Sequence, residues 1–397
     1  MRITVSTLGT MGDVLPLARL VRALVERGHA VTVHAWAMYR DQLAPPGVEL
    51  VEAGGGVTDA DLATATTEAL RAIHPVAQIR RFVRLFHTDA LASAIATARR
   101  ALAGADLAVI NVIDHVAQAA SDELRVPWVG WHARPLASPD ASAGEDALLA
   151  EVDAELTAAV AQVTARAPRP IRVFRQGSAV LDLVAASPAV LASAPSVAPH
   201  TVITGHWLGP PNGVPLDAEI ARFLSARPGP AVFVTFGTIP DEVGRLQLAI
   251  EACRRIGVRV VAQGRAPAAG GGDDVLVVAR RLDYASVLPA FAGMLHHGGA
   301  GTTHEACRAG TPQLCIPHFG DQYFWAREIS RRGLGPPALP HVQLALPPLV
   351  DRLRALVTTP AYRERSAQLA STVAAEDGVP IAVAAIEALA PDPDRSA

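Results

Sequence analysis

Two runs of alternating strand and helix patterns, separated by a break rich in proline and glycine, constrain this chain more than any other feature. In the first run, Ile3–Leu8 reads as a strand, Leu15–Glu26 as a helix stopped by Gly28, and Ala30–Ala35 as the next strand. Asp61–Ala103 is rich in Ala, Leu and Arg and reads as helical, Asp106–Ile113 and Val126–Trp131 as short apolar strands, and Ala147–Thr164 as helix. The break, Thr204–Pro215, holds three prolines and three glycines and reads as a linker. The second run has strands at Ala231–Phe236, Val258–Ala262, Val275–Val278, Gly293–His296 and Gln313–Ile316. Its helices are Asp241–Arg255, Thr302–Ala309 and Gln322–Arg332. Short strands separated by helices imply parallel βαβ units with both sheet faces covered. The expectation is an α/β protein of two doubly wound, Rossmann-like domains facing each other across a cleft. Their bounds would be 1–204 and 216–397, joined by 205–215, with the last helix packing back on the first domain.

Composition removes several classes. The 397 residues are 50% apolar and 18% charged, enough for two full cores and unlike a disordered chain. A net charge of −3 gives no footprint for nucleic acid. Cys253, Cys307 and Cys315 follow no zinc or redox spacing and read as reduced core thiols. The segments Leu183–Leu216 and Tyr284–His304 lack Asp, Glu and Arg, yet their prolines and glycines would break a spanning helix. With no export pattern at the N-terminus, a soluble, cytoplasmic protein is expected.

Four segments carry chemistry. In Leu295-His-His-Gly-Gly-Ala-Gly-Thr-Thr-His-Glu305 a strand runs through glycines into a helix near Thr302. The glycines permit left-handed angles and close approach, and the bare first N–H groups with the helix dipole suit phosphate. His297 can offer that anion a hydrogen bond or a charge, and Glu305, one turn in, can accept from ribose hydroxyls. A ligand-free glycine turn over a core histidine is the bland reading. In Pro317-His-Phe-Gly-Asp-Gln322, Asp321 and Gln322 suit sugar hydroxyls at a strand end, while Asp321 as a helix cap is the plainer reading. Gly9-Thr-Met-Gly-Asp-Val-Leu-Pro16 lacks dinucleotide or P-loop spacing, and Asp13 there is either an N-cap or a general base. Phe236-Gly237-Thr238 ends a strand and is a further possible phosphate contact.

Together, His297 to Glu305, Gly310-x-Pro312, Pro317-x-x-x-Asp321-Gln322, Gly12-Asp13-x-x-Pro16, Thr204-Gly-x-Trp207 and Phe236-Gly-Thr238 resemble nucleotide-sugar-dependent glycosyltransferases of the GT-B fold. The likeness is to the bacterial branch that includes antibiotic and sterol-type enzymes. It covers the whole chain, densely in the second half and mainly over residues 1–35 in the first. The resemblance implies that His297, Gly298, Gly299, Gly301 and Thr302 hold the diphosphate, with Thr238 assisting. It further implies that Glu305 binds ribose, that Asp321 and Gln322 grip the sugar, and that the Leu282 main chain pairs with a pyrimidine. Arg281 stands where related plant enzymes stack a Trp on the base.

By the same resemblance Asp13 is the general base. The reaction is an inverting, metal-independent, in-line displacement from a UDP- or dTDP-sugar, with no cofactor. His297 and the helix N-terminus would stabilise the departing diphosphate. The acceptor would be a lipophilic natural-product aglycone, as in antibiotic biosynthesis. Met11, Phe82, Phe86, Trp131 and His132 are the residues considered for its pocket, with Trp128 beside them. The expected partners are the nucleotide sugar, the small-molecule acceptor and a second copy in a homodimer, without nucleic acid or integral membrane association. The alternatives are a sterol or lipid glucosyltransferase, a sugar-nucleotide epimerase, and a non-catalytic partner that activates another transferase.

Overall fold

The computed structural model describes residues 1–72, 77–78, 80–81, 91–135, 143–166, 168–171, 177–178, 180–192, 197–209, 213–240, 244–264 and 273–390, with 143–149 described by their backbone. The chain divides into two compact units. One comprises Met1–Ala186, Pro195–Trp207 and Asp377–Ala397, the other Ser187–Ala194 and Leu208–Glu376. Against the expected division, the crossing falls at Trp207 within the linker, and the octet Ser187–Ala194 joins the second unit.

The first unit is a seven-stranded parallel sheet of order β3-β2-β1-β4-β5-β6-β7. Its strands are β1 (Arg2–Ser6), β2 (Ala30–Ala35), β3 (Glu49–Glu52), β4 (Leu107–Asn111), β5 (Trp128–His132), β6 (Leu181–Val184) and β7 (Thr201–Ile203). β4 and β5 are buried at every residue, as strands covered on both faces must be. The helix Met11–Glu26 buries Val14, Leu17, Ala18, Leu20, Val21 and Leu24, spaced to form one helical face against this sheet. β3, β6 and β7 have three or four residues each, too few for periodicity to announce them.

That same core takes its final piece from the far end of the chain. Val379, Ala382, Val383 and Ile386 of the helix Gly378–Glu387 join the cluster around Leu17, Leu24 and Trp207. The Gly378 N–H donates to the His206 carbonyl (3.0 Å). Arg27 and Glu387 pair at 2.9 Å and Arg19 and Asp377 at 3.3 Å across the two helices. No single described helix is long and apolar enough to cross a membrane. The bent pair Pro360–Ala374 and Gly378–Glu387 meets that test on length and composition, but the second member spends its apolar side inside this core.

The second unit is a five-stranded parallel sheet of order β10-β9-β8-β11-β12. Its strands are β8 (Ala231–Thr235), β9 (Arg259–Gln263), β10 (Val275–Val278), β11 (Gly293–His296) and β12 (Gln313–Cys315). In both sheets the chain winds outward in one direction and then returns to the other side of the starting strand. That reversal lies between β1 and β4 in the first and between β8 and β11 in the second, and ligands of open α/β sheets bind at the carboxyl ends of such a pair. All three cysteines are buried and free, and burial pushes the Cys253 and Cys307 thiols up to about 12.

Candidate active site

The reversal in the second sheet assembles the glycine segment. β11 ends at His296, and Gly298 adopts φ +86°, which glycine takes without strain. Its N–H donates to His296 Nδ1 (3.1 Å), so the other ring nitrogen carries the proton and faces Gln313 Oε1 (3.0 Å). A methyl group on Gly298 would come within 2.9 Å of the Gln322 carbonyl, and one on Gly237 within 2.9 Å of the His297 ring. The ends of β8, β11 and β12 therefore touch through glycines, drawing Gly237, His297 and Gln322 into one place.

Gly299 is the N-cap of the helix Ala300–Arg308, two residues earlier than the sequence start at Thr302, and no side chain caps it. The first N–H groups thus point out bare from a helix N-terminus. Beside them His297 is half-exposed, but its Nδ1 is buried and has no hydrogen-bond partner. Burial lowers its pKa to about 4, so at neutral pH it is an uncharged imidazole. Of the two roles considered for His297, the free protein offers the hydrogen bond. An anion arriving would favour the protonated form.

Glu305, mostly buried, has Oε2 in a 2.5 Å ion pair with Arg308, which also donates to the Gly209 carbonyl. Burial raises its carboxyl above the ordinary range, opposed by Arg308. Thr238 and Arg281 are exposed at the rim, and Leu282 packs partly into the second unit's core. Thr302 and Gly301 lie in the first helical turn, and a methyl group on Gly301 would meet nothing within 4 Å.

Two sequence expectations at β12 change. Asp321 precedes the helix Gln322–Arg332 but makes no side-chain cap, so the plain reading of that aspartate does not hold. Gln322 is buried, and its carbonyl oxygen accepts from the His318 and Phe319 N–H groups (2.8 and 3.4 Å). The side-chain oxygen therefore holds the loop. His304 is structural: Nε2 accepts from the Ser187 N–H (3.0 Å) while Nδ1 faces the Ala300 carbonyl (2.7 Å).

The reversal in the first sheet carries Asp13. The helix starts at Met11, not Leu15, because Thr10 and Asp13 form a capping box ahead of Pro16. Asp13 is thus the third helical residue rather than an N-cap. The Thr10 N–H donates to Asp13 Oδ2 (2.9 Å), and the Asn111 amide, from the end of β4, donates to Oδ1 (3.1 Å). Asn111 is itself oriented, since its Oδ1 accepts from the Ile113 N–H (3.0 Å). Burial pushes the Asp13 carboxyl up, opposed by Thr10 and Asn111. A methyl group on Gly9 would fall 2.4 Å from Asp13 Oδ2, so this carboxylate needs a glycine there. Beneath it Ser6 donates to Asp114 Oδ2 (2.5 Å) and lies 2.8 Å from His34 Nδ1, all fully buried.

Sequence reading missed Asn111 and Gly9 as partners of Asp13. The available signal was a polar residue closing the apolar strand Leu107–Asn111. The residues considered for the acceptor pocket fare differently. Met11 is half-buried against the first core. Trp131 is 1% exposed and stacks on Trp207 at 5.6 Å, and His132, also 1% exposed, pairs with Asp182 at 3.0 Å. Both are core side chains, and so is Trp128. They are buried because β5 is covered on both faces. Phe82 and Phe86 lie outside the described residues.

The two parallel, doubly wound α/β units match the GT-B architecture. Comparison with known proteins agrees. Residues 258–389 match the family model for the C-terminal domain of erythromycin biosynthesis protein CIII-like proteins. The chain is 28% identical, over 98% of its length and 97% of the relative's, to O-mycaminosyltylonolide 6-deoxyallosyltransferase of Streptomyces fradiae. Its fold matches the glycosyltransferase of kitacinnamycin with a TM-score of 0.77 at 18% identity, covering 98% of this chain and 99% of that one. It also matches the glycosyltransferase VinC, solved in complex with dTDP, with a TM-score of 0.67 at 20% identity, covering 97% and 98%. The chain thus has the GT-B fold of these solved structures, and its sequence is similar to glycosyltransferases along nearly its whole length.

Proposed function

We propose that the protein moves a sugar from a UDP- or dTDP-sugar to a lipophilic natural-product acceptor, inverting the anomeric configuration. The observation that carries this reading is the contiguous cradle of Gly237, His297, Gly298 and the bare start of the helix Ala300–Arg308. A diphosphate there meets the bare helix N–H groups beside the His297 imidazole, which is the right polarity for charge that grows as the sugar departs. The chemistry needs no bound metal in this reading, because the helix N-terminus and His297 meet that charge. Glu305 takes ribose, the Leu282 main chain the base, and Asp321 with the Gln322 amide nitrogen the sugar.

Asp13 accepts the acceptor's proton as its oxygen attacks the anomeric carbon from the face opposite the leaving diphosphate. Its raised pKa brings it closer to neutrality than an ordinary aspartate, which a general base requires. An acceptor pocket built from Met11 and neighbouring first-unit residues completes the reading, in an antibiotic-type pathway rather than sterol glucosylation.

A thermal-shift comparison with UDP and dTDP tests the donor site. Nucleotide at about 100 times its dissociation constant adds about 2.7 kcal/mol of stability. That shift should vanish in His297→Ala. A shift of equal size in the variant would remove the cradle from the donor site, and no shift with either nucleotide would favour the activator reading.

A further inference from the structure

The donor unit carries a second carboxylate that the reading above does not use. Asp283 directly follows Leu282 and occupies the N-cap position of the short helix Tyr284–Val287, yet its side chain makes no cap hydrogen bond. Its Oδ2 is buried and has no hydrogen-bond partner. This helix packs on the helix Ala300–Arg308, the one that presents Glu305. The two acids feel each other, since Asp283 adds to the rise of the Glu305 carboxyl. Arg308 is committed to Glu305 Oε2. Beside them Tyr284 donates its hydroxyl to Gln263 Oε1 (2.6 Å), which closes that side of the group.

A buried carboxylate oxygen without a donor is costly, and its natural complement is a ligand O–H or N–H. Two neighbouring acids fit a ligand with two adjacent hydroxyls better than a ligand with one. We propose that Asp283 determines nucleotide specificity: it accepts from one ribose hydroxyl while Glu305 accepts from the other, so the site reads the 2′-hydroxyl and prefers ribonucleoside to 2′-deoxyribonucleoside diphosphates. This rests on the reading that places the nucleoside beside Glu305. A 2′-deoxyribose leaves one acid without its donor, and the lost charged hydrogen bond corresponds to roughly a 10- to 100-fold weaker affinity.

The test is calorimetric titration of the whole chain with UDP, dUDP and dTDP, the pair UDP and dUDP isolating the hydroxyl from the 5-methyl group. UDP should bind roughly 10- to 100-fold more tightly than dUDP, with dUDP and dTDP within a few-fold of each other. In Asp283→Ala the UDP/dUDP ratio should fall toward one, mainly through weaker UDP binding. Asp283→Asn, which preserves shape, should lower the ratio in the same direction and serves if the alanine variant does not fold. Equal affinities for UDP and dUDP, or a ratio that survives both substitutions, overturns the proposal. His297→Ala separates the two readings. If it abolishes UDP binding while the ratio in the unsubstituted protein is one, only the role of Asp283 falls. If UDP binds undiminished, the nucleotide lies elsewhere and both fall.

Discussion

Asp13 shows how much work one carboxylate can be given. Its oxygens are held from two directions, by the Thr10 N–H that starts its own helix and by an amide at the end of β4. The helix-starting bond uses Oδ2, and Oδ1 accepts from the Asn111 amide. Asp13→Asn should therefore preserve nucleotide binding while lowering turnover about 10²- to 10⁴-fold. Steady-state rates with an unactivated alcohol acceptor measure this, and undiminished turnover would reduce Asp13 to its helix-starting role. Because burial raises the carboxyl, the acid limb of kcat/KM should lie above the range of an exposed aspartate, with activity lost as pH falls through it. Asn111→Leu should move that limb further upward by removing a donor to the charged form. An unmoved limb would detach Asn111 from the site. Asp13 and His297 were legible as candidates because their neighbours in sequence are glycines. Asn111 was not, being 98 residues from the group it serves.

At the scale of elements, the glycines of the donor loop separate into two kinds. Gly298 is required by the backbone, with φ +86° and no room for a methyl group, whereas Gly301 has a helical setting and open space around it. Gly298→Ala should lower stability by about 1–3 kcal/mol, read as a loss of melting temperature without ligand. Gly301→Ala should leave stability unchanged or slightly raised, since alanine is the better helix former by about 1 kcal/mol. If its nucleotide affinity nevertheless falls, close ligand approach is what that position needs; unchanged affinity would remove Gly301 from the binding surface. The strands β2, β10 and β11 were legible to the residue, being apolar runs bounded by turn signals. Helix starts were less so. Pro16 suggests a first turn, but the Thr10–Asp13 box begins the helix earlier, and Gly299 in extended backbone does the same for Ala300–Arg308. The three- and four-residue edge strands and the covering of β5 depend on neighbours far along the chain, and for that reason Trp131 and His132 read as pocket residues and are core.

For the molecule as a whole, the two reversal points were readable in outline because each run of strands and helices restarts after a break, but which segment completes which core was not. Its buried imidazoles predict a loss of stability in acid. Burial lowers His34 and His115 to about 4 and His296 to about 3, against about 6.5 in the unfolded chain. The unfolded state binds more protons across that interval, so these groups stabilise the fold fully above about pH 6.5, and their contribution is lost as pH falls toward 4. Asp114, raised to about 6, runs the opposite way below that pH and offsets one of them. Melting temperature should therefore fall between pH 6.5 and 5, and a flat profile over that range would mean that these imidazoles are not held neutral.

The helix Gly378–Glu387 has a further consequence for how the protein is made. Chains leave the ribosome from the N-terminus, and domains ordinarily fold as they emerge. The first unit lacks part of its core while it does so. Its core around Leu17, Leu24 and Trp207 stays open along one side until Val379 to Ile386 have been translated, after the whole second unit. The core of the first unit is thus completed only after the second unit has been made. A premature stop near codon 376 is in effect a lesion of the first unit.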